Sequence, residues 1–222
     1  MPEAAAVQDG GMDLEEHWNE AYRSRSESVS WFEASPTVSL ALLDRFASQR
    51  SGLIDVGSGA SWLVKRLAES GWRDLTALDV SSSALAMLRS GLGDYEDDVT
   101  FVTSDIQSFI PDRQYKVWHD RAVLHFLVDH YDREHYAKTV ANSLGPGAIA
   151  IIGGFSPDGP SQCSGLAVCR ASSEDIASLL GGGFQVLFAC ESVHVTPQGI
   201  DQAFSWTVLL RLNDGEIASV EP

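Results

Sequence analysis

The strongest constraint on the fold is an apolar run that stops at a glycine turn and is followed by a helical pattern. The run Leu53–Val56 leads into a Gly-Ser-Gly turn at residues 57–59, and a second run, Leu75–Leu78, ends on Asp79. In an open α/β sheet, such glycines let the backbone approach a ligand, and the acid accepts ribose hydroxyls. The spacing predicts a nucleoside site. The alternative is a tight strand-to-helix turn, with Asp79 as a solvated acid at the end of a strand.

The details of the turn favour S-adenosylmethionine (SAM) over a dinucleotide. A dinucleotide fingerprint would place a third glycine where this chain has Trp62. Asp55, two residues before Gly57, would repel a diphosphate but suits a sulfonium with an ammonium group. We expect Gly57 and Gly59 to lie under the methionine part of SAM and Asp55 to contact its ammonium. The predicted cofactor-binding residues are Asp55, Gly57, Ser58, Gly59, Asp79, Val80, Asp105, Ile106, His119 and Trp31.

Charge and cysteine content narrow the classes of partner. The 222 residues include 15 basic and 31 acidic side chains, and the net charge of -16 disfavours nucleic acids and anionic membranes. This charge is compatible with a cationic acceptor such as lysine, although solubility alone also explains it. The three cysteines lack the spacing of a zinc site or a disulfide framework, so no metal is expected and a reducing cytoplasm fits best.

Strand-like and helical patterns alternate along most of the chain. The strand-like runs are Leu53–Val56, Leu75–Leu78, Val99–Val102, Tyr115–Trp118 and Ala148–Ile152. Two further strands, Phe184–Val193 and Ala203–Leu212, follow one another without a helix between them. The order predicts a Rossmann-like α/β fold with a seven-stranded, mostly parallel sheet, a C-terminal antiparallel hairpin and helices on both faces. We expect a disordered N-terminus over residues 1–11, without a targeting signal, and one domain over residues 12–222.

Candidate chemistry lies after the fourth strand, at the sheet edge where such folds bind ligands. We predict His119, Asp120 and Arg121 as catalytic residues. Asp120 would orient the acceptor or stabilise the sulfonium methyl, whereas an Asp-Arg neighbour pair is also consistent with a structural ion pair. The predicted substrate-binding residues are His125, Phe126 and Cys163.

Several of these residues have simpler explanations. Asp105 is placed to accept from the adenine amino group, but it is also a common type of turn cap. His125 is also consistent with a hydrogen-bonded packing residue, and Cys163 with a small packed side chain. Trp18, Tyr22, Trp31 and Phe32 are expected as a lid over the cofactor, and ordinary helix packing is the alternative for Trp18.

The chain resembles class I SAM-dependent methyltransferases along nearly its full length. More narrowly, it is similar to the citrate synthase lysine methyltransferase group and its bacterial relatives. The strings that carry this resemblance are His17-Trp18, Tyr22, Val29-Ser30-Trp31-Phe32, residues 54–61, Trp118-His119-Asp120-Arg121, Gly159-Pro160, Cys163-Ser164-Gly165-Leu166 and His194-Val195-Thr196-Pro197. The resemblance implies methyl transfer from SAM to a protein lysine, with S-adenosylhomocysteine (SAH) as product. We expect a cytoplasmic protein that is a monomer or a homodimer.

Two other functions are compatible with the sequence. One is O-, N- or S-methylation of a small molecule. The other is SAM binding without catalysis, although the intact acids Asp55, Asp79, Asp105 and Asp120 argue against it.

Overall fold

The computed structural model describes residues 13–25, 33, 35–47 and 50–213. The helices are α1 Leu14–Arg25, α2 Thr37–Phe46, α3 Trp62–Glu69, α4 Ser82–Leu92, α5 His130–Ser143 and α6 Ser173–Leu180. The strands are β1 Ser51–Val56, β2 Arg73–Asp79, β3 Val99–Thr103, β4 Tyr115–Arg121, β5 Leu144–Phe155, β6 Gln162–Cys163, β7 Leu166–Ala167, β8 Phe184–Val195 and β9 Asp201–Arg211. Short 3-10 segments cover Gly93–Asp98, Leu124–Phe126 and Gly181–Gly183. The predictions for residues 1–11, Trp31 and Phe32 lie outside the described residues.

The large sheet has the order β3-β2-β1-β4-β5-β9-β8. Strands β1 to β5 are parallel, while β9 is antiparallel to both β5 and β8. The predicted Rossmann-like fold with its C-terminal antiparallel pair is therefore confirmed. The sheet order reverses between β1 and β4, and this reversal opens a crevice at the carboxyl ends of the strands.

Both faces of the sheet are covered, which explains why its central strands read as continuous apolar runs. Successive residues point to opposite faces, so Leu53 and Val117 join one hydrophobic cluster. Ile54 and Trp118 join the other cluster. This alternation decides which residues at the end of β4 can face the crevice.

Helix α1 is fixed across the crevice by one polar side chain. Asn19 is buried, and its Oδ1 accepts hydrogen bonds from Ser81 Oγ at 2.8 Å and from the Ser83 amide at 3.0 Å. These bonds attach α1 to the start of α4. At the start of α1, Asp13 Oδ1 accepts from the backbone amide of Glu16 at 3.2 Å, which is one half of a capping box.

The Pro- and Gly-rich stretch 155–172 contains the small hairpin β6–β7. Its turn residues Ser164 and Gly165 have φ angles of 53° and 79°. A two-residue hairpin of type I′ needs positive φ at both turn positions, and glycine at the second makes this conformation accessible. Among the described residues, no helix is long and apolar enough to cross a membrane.

Candidate active site

A cavity of about 410 Å³ lies at the carboxyl ends of β1, β2 and β4. Its volume is within the usual range for a small-molecule site. The structure brings most of the predicted site residues to its wall: Asp55, Gly57, Ser58, Asp79, Val80, Asp105, Ile106, His119, Arg121, Phe126 and Cys163. Gly59, Asp120 and His125 are not among the residues that line it.

The glycine turn adopts a backbone conformation that favours glycine. Gly57 and Gly59 have φ angles of 65° and 57°. A Cβ on Gly57 would overlap Val123, and a Cβ on Gly59 would overlap the hydroxyl of Tyr22. The turn therefore needs glycine because Val123 and Tyr22 pack against it. From the sequence alone, the cofactor was the expected reason for glycine at these two positions.

Asp79 connects the turns after β1 and β2. Its Oδ2 accepts from the Gly59 amide at 2.8 Å, and its Oδ1 accepts from the Ser81 amide at 2.7 Å. Burial raises the pKa of Asp79 from 3.8 to about 6, although these two amides oppose the rise. The carboxylate remains on the cavity wall, where each oxygen has a further lone pair to offer.

Two buried polar atoms near the glycine turn lack a partner within the described part of the chain. They are Asp55 Oδ2 and Ser58 Oγ. Both side chains line the cavity, and Asp55 is 3% and Ser58 1% exposed. Because a buried polar atom without a partner is costly, such atoms on a cavity wall are suited to a polar ligand.

His119 forms the centre of a buried chain of hydrogen bonds. Its Nδ1 lies 2.7 Å from Asp55 Oδ1, and its Nε2 lies 2.9 Å from Ser39 Oγ. Ser39, on α2, was not singled out by the sequence analysis. Both ring nitrogens therefore have protein partners, and the imidazole reaches the cavity with its polar atoms already bonded.

Asp120 does not share the cavity with its two neighbours. Its carboxylate accepts from the Val123 amide at 2.8 Å, the Leu124 amide at 3.1 Å and the Tyr136 hydroxyl at 2.5 Å. Burial raises the pKa of Asp120 to about 6, against the effect of these donors. The pleat of β4 directs Asp120 to the opposite face of the sheet from His119 and Arg121. Of the three residues predicted as catalytic, His119 and Arg121 therefore line the cavity, whereas Asp120 does not.

Arg121 pairs with Glu33, a residue that the sequence analysis did not single out. Its Nε lies 3.5 Å from Glu33 Oε2, and its guanidinium lies over the ring of Phe204 at 5.2 Å. Burial lowers the pKa of Arg121, and Glu33 opposes that effect. His194 Nδ1 lies 3.9 Å from the other oxygen of Glu33. The ion pair of Arg121 is therefore with Glu33, rather than with Asp120 as one alternative had it.

The three predicted substrate-binding residues divide between wall and core. Phe126 lines the cavity, where its ring meets that of Trp18 edge-on at 5.2 Å. Cys163 also lines the cavity from β6. His125 is directed away, between the rings of Phe126 and Phe155, and burial lowers its pKa to about 3. This position matches the packing alternative for His125.

The remaining predicted cofactor-binding residues among the described ones also line the cavity. Val80, Ser104, Asp105 and Ile106 line it together. Asp105 Oδ1 accepts from the Gln107 amide at 2.8 Å, so it caps the turn after β3 as well as facing the cavity. From α1, Trp18 and Tyr22 also line the cavity, and their role as a lid over the cofactor stays a prediction.

Comparison with known proteins gives the class of enzyme. Residues 53–147 match a family described as a methyltransferase domain. This segment includes the glycine turn, Asp79, Asp105 and the end of β4. No curated protein shows significant sequence similarity to the chain.

Solved structures with low sequence identity share the fold. A SAM-dependent methyltransferase from Anabaena variabilis is 20% identical, with a TM-score of 0.70 over 89% of this chain and 93% of that one. A protein from a study of the conversion of a disulfide bond into a thioacetal group during echinomycin biosynthesis is 18% identical, with a TM-score of 0.72 over 90% and 93%. The glycopeptide N-methyltransferase MtfA, complexed with SAH, is 17% identical, with a TM-score of 0.64 over 81% and 91%.

The match over residues 53–147 agrees with the predicted class of enzyme, a methyltransferase, and the solved structures share its fold. The assignment to the citrate synthase lysine methyltransferase group stays a prediction.

Proposed function

We propose that the cavity binds SAM and that the chain transfers its methyl group to an acceptor amine, with a protein lysine side chain as the first acceptor to test. The observation that carries the cofactor assignment is the pair of unpartnered buried atoms, Asp55 Oδ2 and Ser58 Oγ, next to the Asp79 carboxylate. A zwitterionic amino acid group attached to a ribose offers partners for all three side chains.

We assign each part of SAM to particular residues of the cavity wall. Asp79 accepts from the ribose hydroxyls, and Asp55 with Ser58 bonds to the amino acid part. Asp105 accepts from the adenine amino group, and Val80 with Ile106 packs on the base. The product SAH, present in the similar fold of MtfA, supports this choice of ligand.

The chemistry demands little of the protein beyond positioning. When bound, SAM supplies a methyl group on a sulfonium. In-line attack on that methyl group releases a neutral thioether, which is a good leaving group. The chain holds the reactants in line and excludes water, and both effects lower the barrier. Trp18 and Phe126 form an edge-on aromatic pair on the wall, and Tyr22 lies beside them on α1. These rings supply the dry surface against which acceptor and cofactor meet.

The acidic wall supports an amine acceptor. Besides the three carboxylates that we assign to SAM, Glu33 faces the cavity, and its carboxylate pairs with Arg121. A carboxylate attracts and orients an incoming ammonium but also favours its protonated form. Burial against the aromatic wall disfavours the charge, so the amine would lose its proton as it leaves water. Two of the solved structures with this fold are named N-methyltransferases.

A small-molecule acceptor is the second candidate, and the position of α1 favours it. Asn19 holds α1 across the crevice, and Trp18 and Tyr22 line the cavity beneath it. Hairpin β6–β7 contributes Cys163 and Leu166 to the wall. A covered cavity of this kind admits a metabolite more readily than a folded protein surface.

Methyl-labelled SAM distinguishes the two candidates. The purified chain is incubated with labelled SAM and host lysate, protein is separated from small molecules, and the label is located. Asp79→Asn serves as the matched inactive control. Label at lysine on one protein band supports the lysine proposal, while label only in the small-molecule fraction supports the second candidate. Equal label with wild type and Asp79→Asn, or none with either, contradicts the proposed function.

A further inference from the structure

The buried side chains Ser39, His119 and Asp55 connect three separate elements of the fold. Ser39 lies on α2, His119 on β4 and Asp55 on β1. Ser39 and His119 are each 1% exposed, and Asp55 is 3% exposed. The two links measure 2.9 Å between Ser39 Oγ and His119 Nε2, and 2.7 Å between His119 Nδ1 and Asp55 Oδ1. The three residues form a continuous hydrogen-bonded path, and all three line the cavity.

The two partners of His119 indicate which tautomer its neutral ring adopts. An ionised carboxylate only accepts hydrogen bonds, so His119 Nδ1 donates to Asp55. In the neutral imidazole, Nε2 is then an acceptor, and the hydroxyl of Ser39 donates to it. Ser39 therefore restrains the ring in the orientation and tautomer that serve Asp55, in the way that outer partners orient histidine ligands.

One carboxylate oxygen of Asp55 takes no part in this hydrogen-bonded path. Asp55 Oδ1 is bonded to His119, whereas Asp55 Oδ2 is buried without a partner in the described part of the chain. Asp55 also lines the cavity. The histidine thus holds the carboxylate so that its second oxygen is available to a ligand.

We infer that His119 and Ser39 are positioning residues that hold Asp55 Oδ2 toward the ammonium of the bound cofactor. This inference rests on the proposed function, since it assigns the partner of Asp55 in the SAM site. It also gives His119 a role other than that of catalytic base, because neither ring nitrogen is left to take a proton from the acceptor.

The test compares two ligands that differ in the amino acid part alone. SAH carries it, and 5′-methylthioadenosine has the same nucleoside thioether without it. Affinities for both are measured by calorimetry on wild type, His119→Leu, His119→Asn and Ser39→Ala. Ser90→Ala, on the exposed part of α4, is the control for serine removal.

The positioning role predicts a split between the two ligands. His119→Leu weakens SAH binding by tenfold or more and leaves 5′-methylthioadenosine within about twofold of wild type, because a hydrogen bond to a charged group is lost. His119→Asn recovers part of the SAH affinity, since its amide nitrogen lies near the position of Nδ1 and donates to Asp55. Ser39→Ala shows the same split at about two- to fivefold, and it is informative even if His119→Leu fails to fold.

Equal loss of both ligands in Ser39→Ala, or unchanged SAH affinity in both Ser39→Ala and His119→Leu, would overturn the inference while leaving the proposed function standing. If wild type bound neither ligand, the proposed function would fail and the inference with it.

Discussion

The carboxylate of Asp79 accepts a hydrogen bond from the backbone amide of Gly59 at 2.8 Å. The acid that ends β2 therefore holds the glycine turn that follows β1. One side chain thus serves two purposes, since it shapes the turn and faces the cavity in which we place the ribose.

The affinity for nucleosides should depend on the ionisation of Asp79. The pKa of Asp79 is raised to about 6, so the carboxylate takes up a proton as the pH falls through 6 and loses an acceptor for the ribose. We expect the dissociation constant of 5′-methylthioadenosine to rise by up to about fivefold between pH 6 and pH 5, and by up to about tenfold between pH 8 and pH 5. Calorimetry over pH 5 to 8 measures this change. Asp79→Asn should bind more weakly and lose most of the pH dependence, whereas the exposed control Asp44→Asn should follow wild type.

Gly59 should be intolerant of a side chain because of Tyr22. Gly59→Ala places a methyl group on the Tyr22 hydroxyl at a φ of 57°. Gly71→Ala is the matched control, because Gly71 has a φ of 93° with no atom near its Cβ position. We expect Gly71→Ala to cost about 1 to 2 kcal/mol of unfolding free energy and Gly59→Ala about 1 to 3 kcal/mol more. Urea unfolding measures both.

Removing the Tyr22 hydroxyl should relieve the clash at Gly59. In the Tyr22→Phe background, the nearest remaining ring carbon lies 3.2 Å from the added methyl group. Gly59→Ala in that background should therefore cost less than in wild type but somewhat more than Gly71→Ala, because 3.2 Å is still a tight contact for a methyl group. An undiminished cost would mean that the space above Gly59 is limited by something other than Tyr22.

The position of Asp120 follows from the pleat of β4. Alternation puts His119 and Arg121 on one face and Asp120 on the other, so three consecutive strand residues cannot all face one cavity. The sequence analysis ended this strand at Trp118 and therefore did not apply strand alternation to residues 119–121, whereas β4 extends to Arg121. The ion pair of Arg121 with Glu33 and the bond of His119 to Ser39 could not be predicted in this way. These contacts join residues far apart in the chain, and periodicity carries no information about such pairs.

The sheet and the nucleoside site were more accessible to sequence reasoning. Apolar runs that end in Asp79 or in the glycine turn give both the strand and the side of the sheet on which its end lies. Asp55, Asp79 and Asp105 therefore reach the same cavity, as predicted. The hairpin β6–β7 was missed because each of its strands has only two residues, which is too short for a period-2 pattern.

Asp120 should contribute a pH dependence to folding stability. Its pKa is raised to about 6 by burial, so this contribution is fully present below the unfolded value and is lost as the pH rises through 6. Relative to Asp120→Asn, wild type should lose about 1 kcal/mol of unfolding free energy between pH 5 and pH 8. Urea unfolding at both pH values tests this. Parallel curves for the two proteins would mean that Asp120 does not titrate in this range.

Helix α1 should depend on Asn19 for its position over the cavity. Asn19→Leu removes the acceptor for Ser81 Oγ and the Ser83 amide and leaves both buried donors unsatisfied. We expect faster amide hydrogen exchange in α1 and SAH affinity lowered about tenfold, while exchange in the sheet stays slow. The exposed neighbour substitution Glu15→Leu should change neither. Unchanged exchange in Asn19→Leu would show that other contacts suffice to dock α1.

The most direct test of the account is a calorimetric titration of the wild-type chain with SAH. We expect one saturable site per chain, with the SAH affinity lowered about tenfold or more in Asp79→Asn and unchanged in Asp44→Asn. A folded wild-type chain that takes up no SAH, or an Asp79→Asn variant that binds as tightly as wild type, would contradict the assignment of this cavity to SAM.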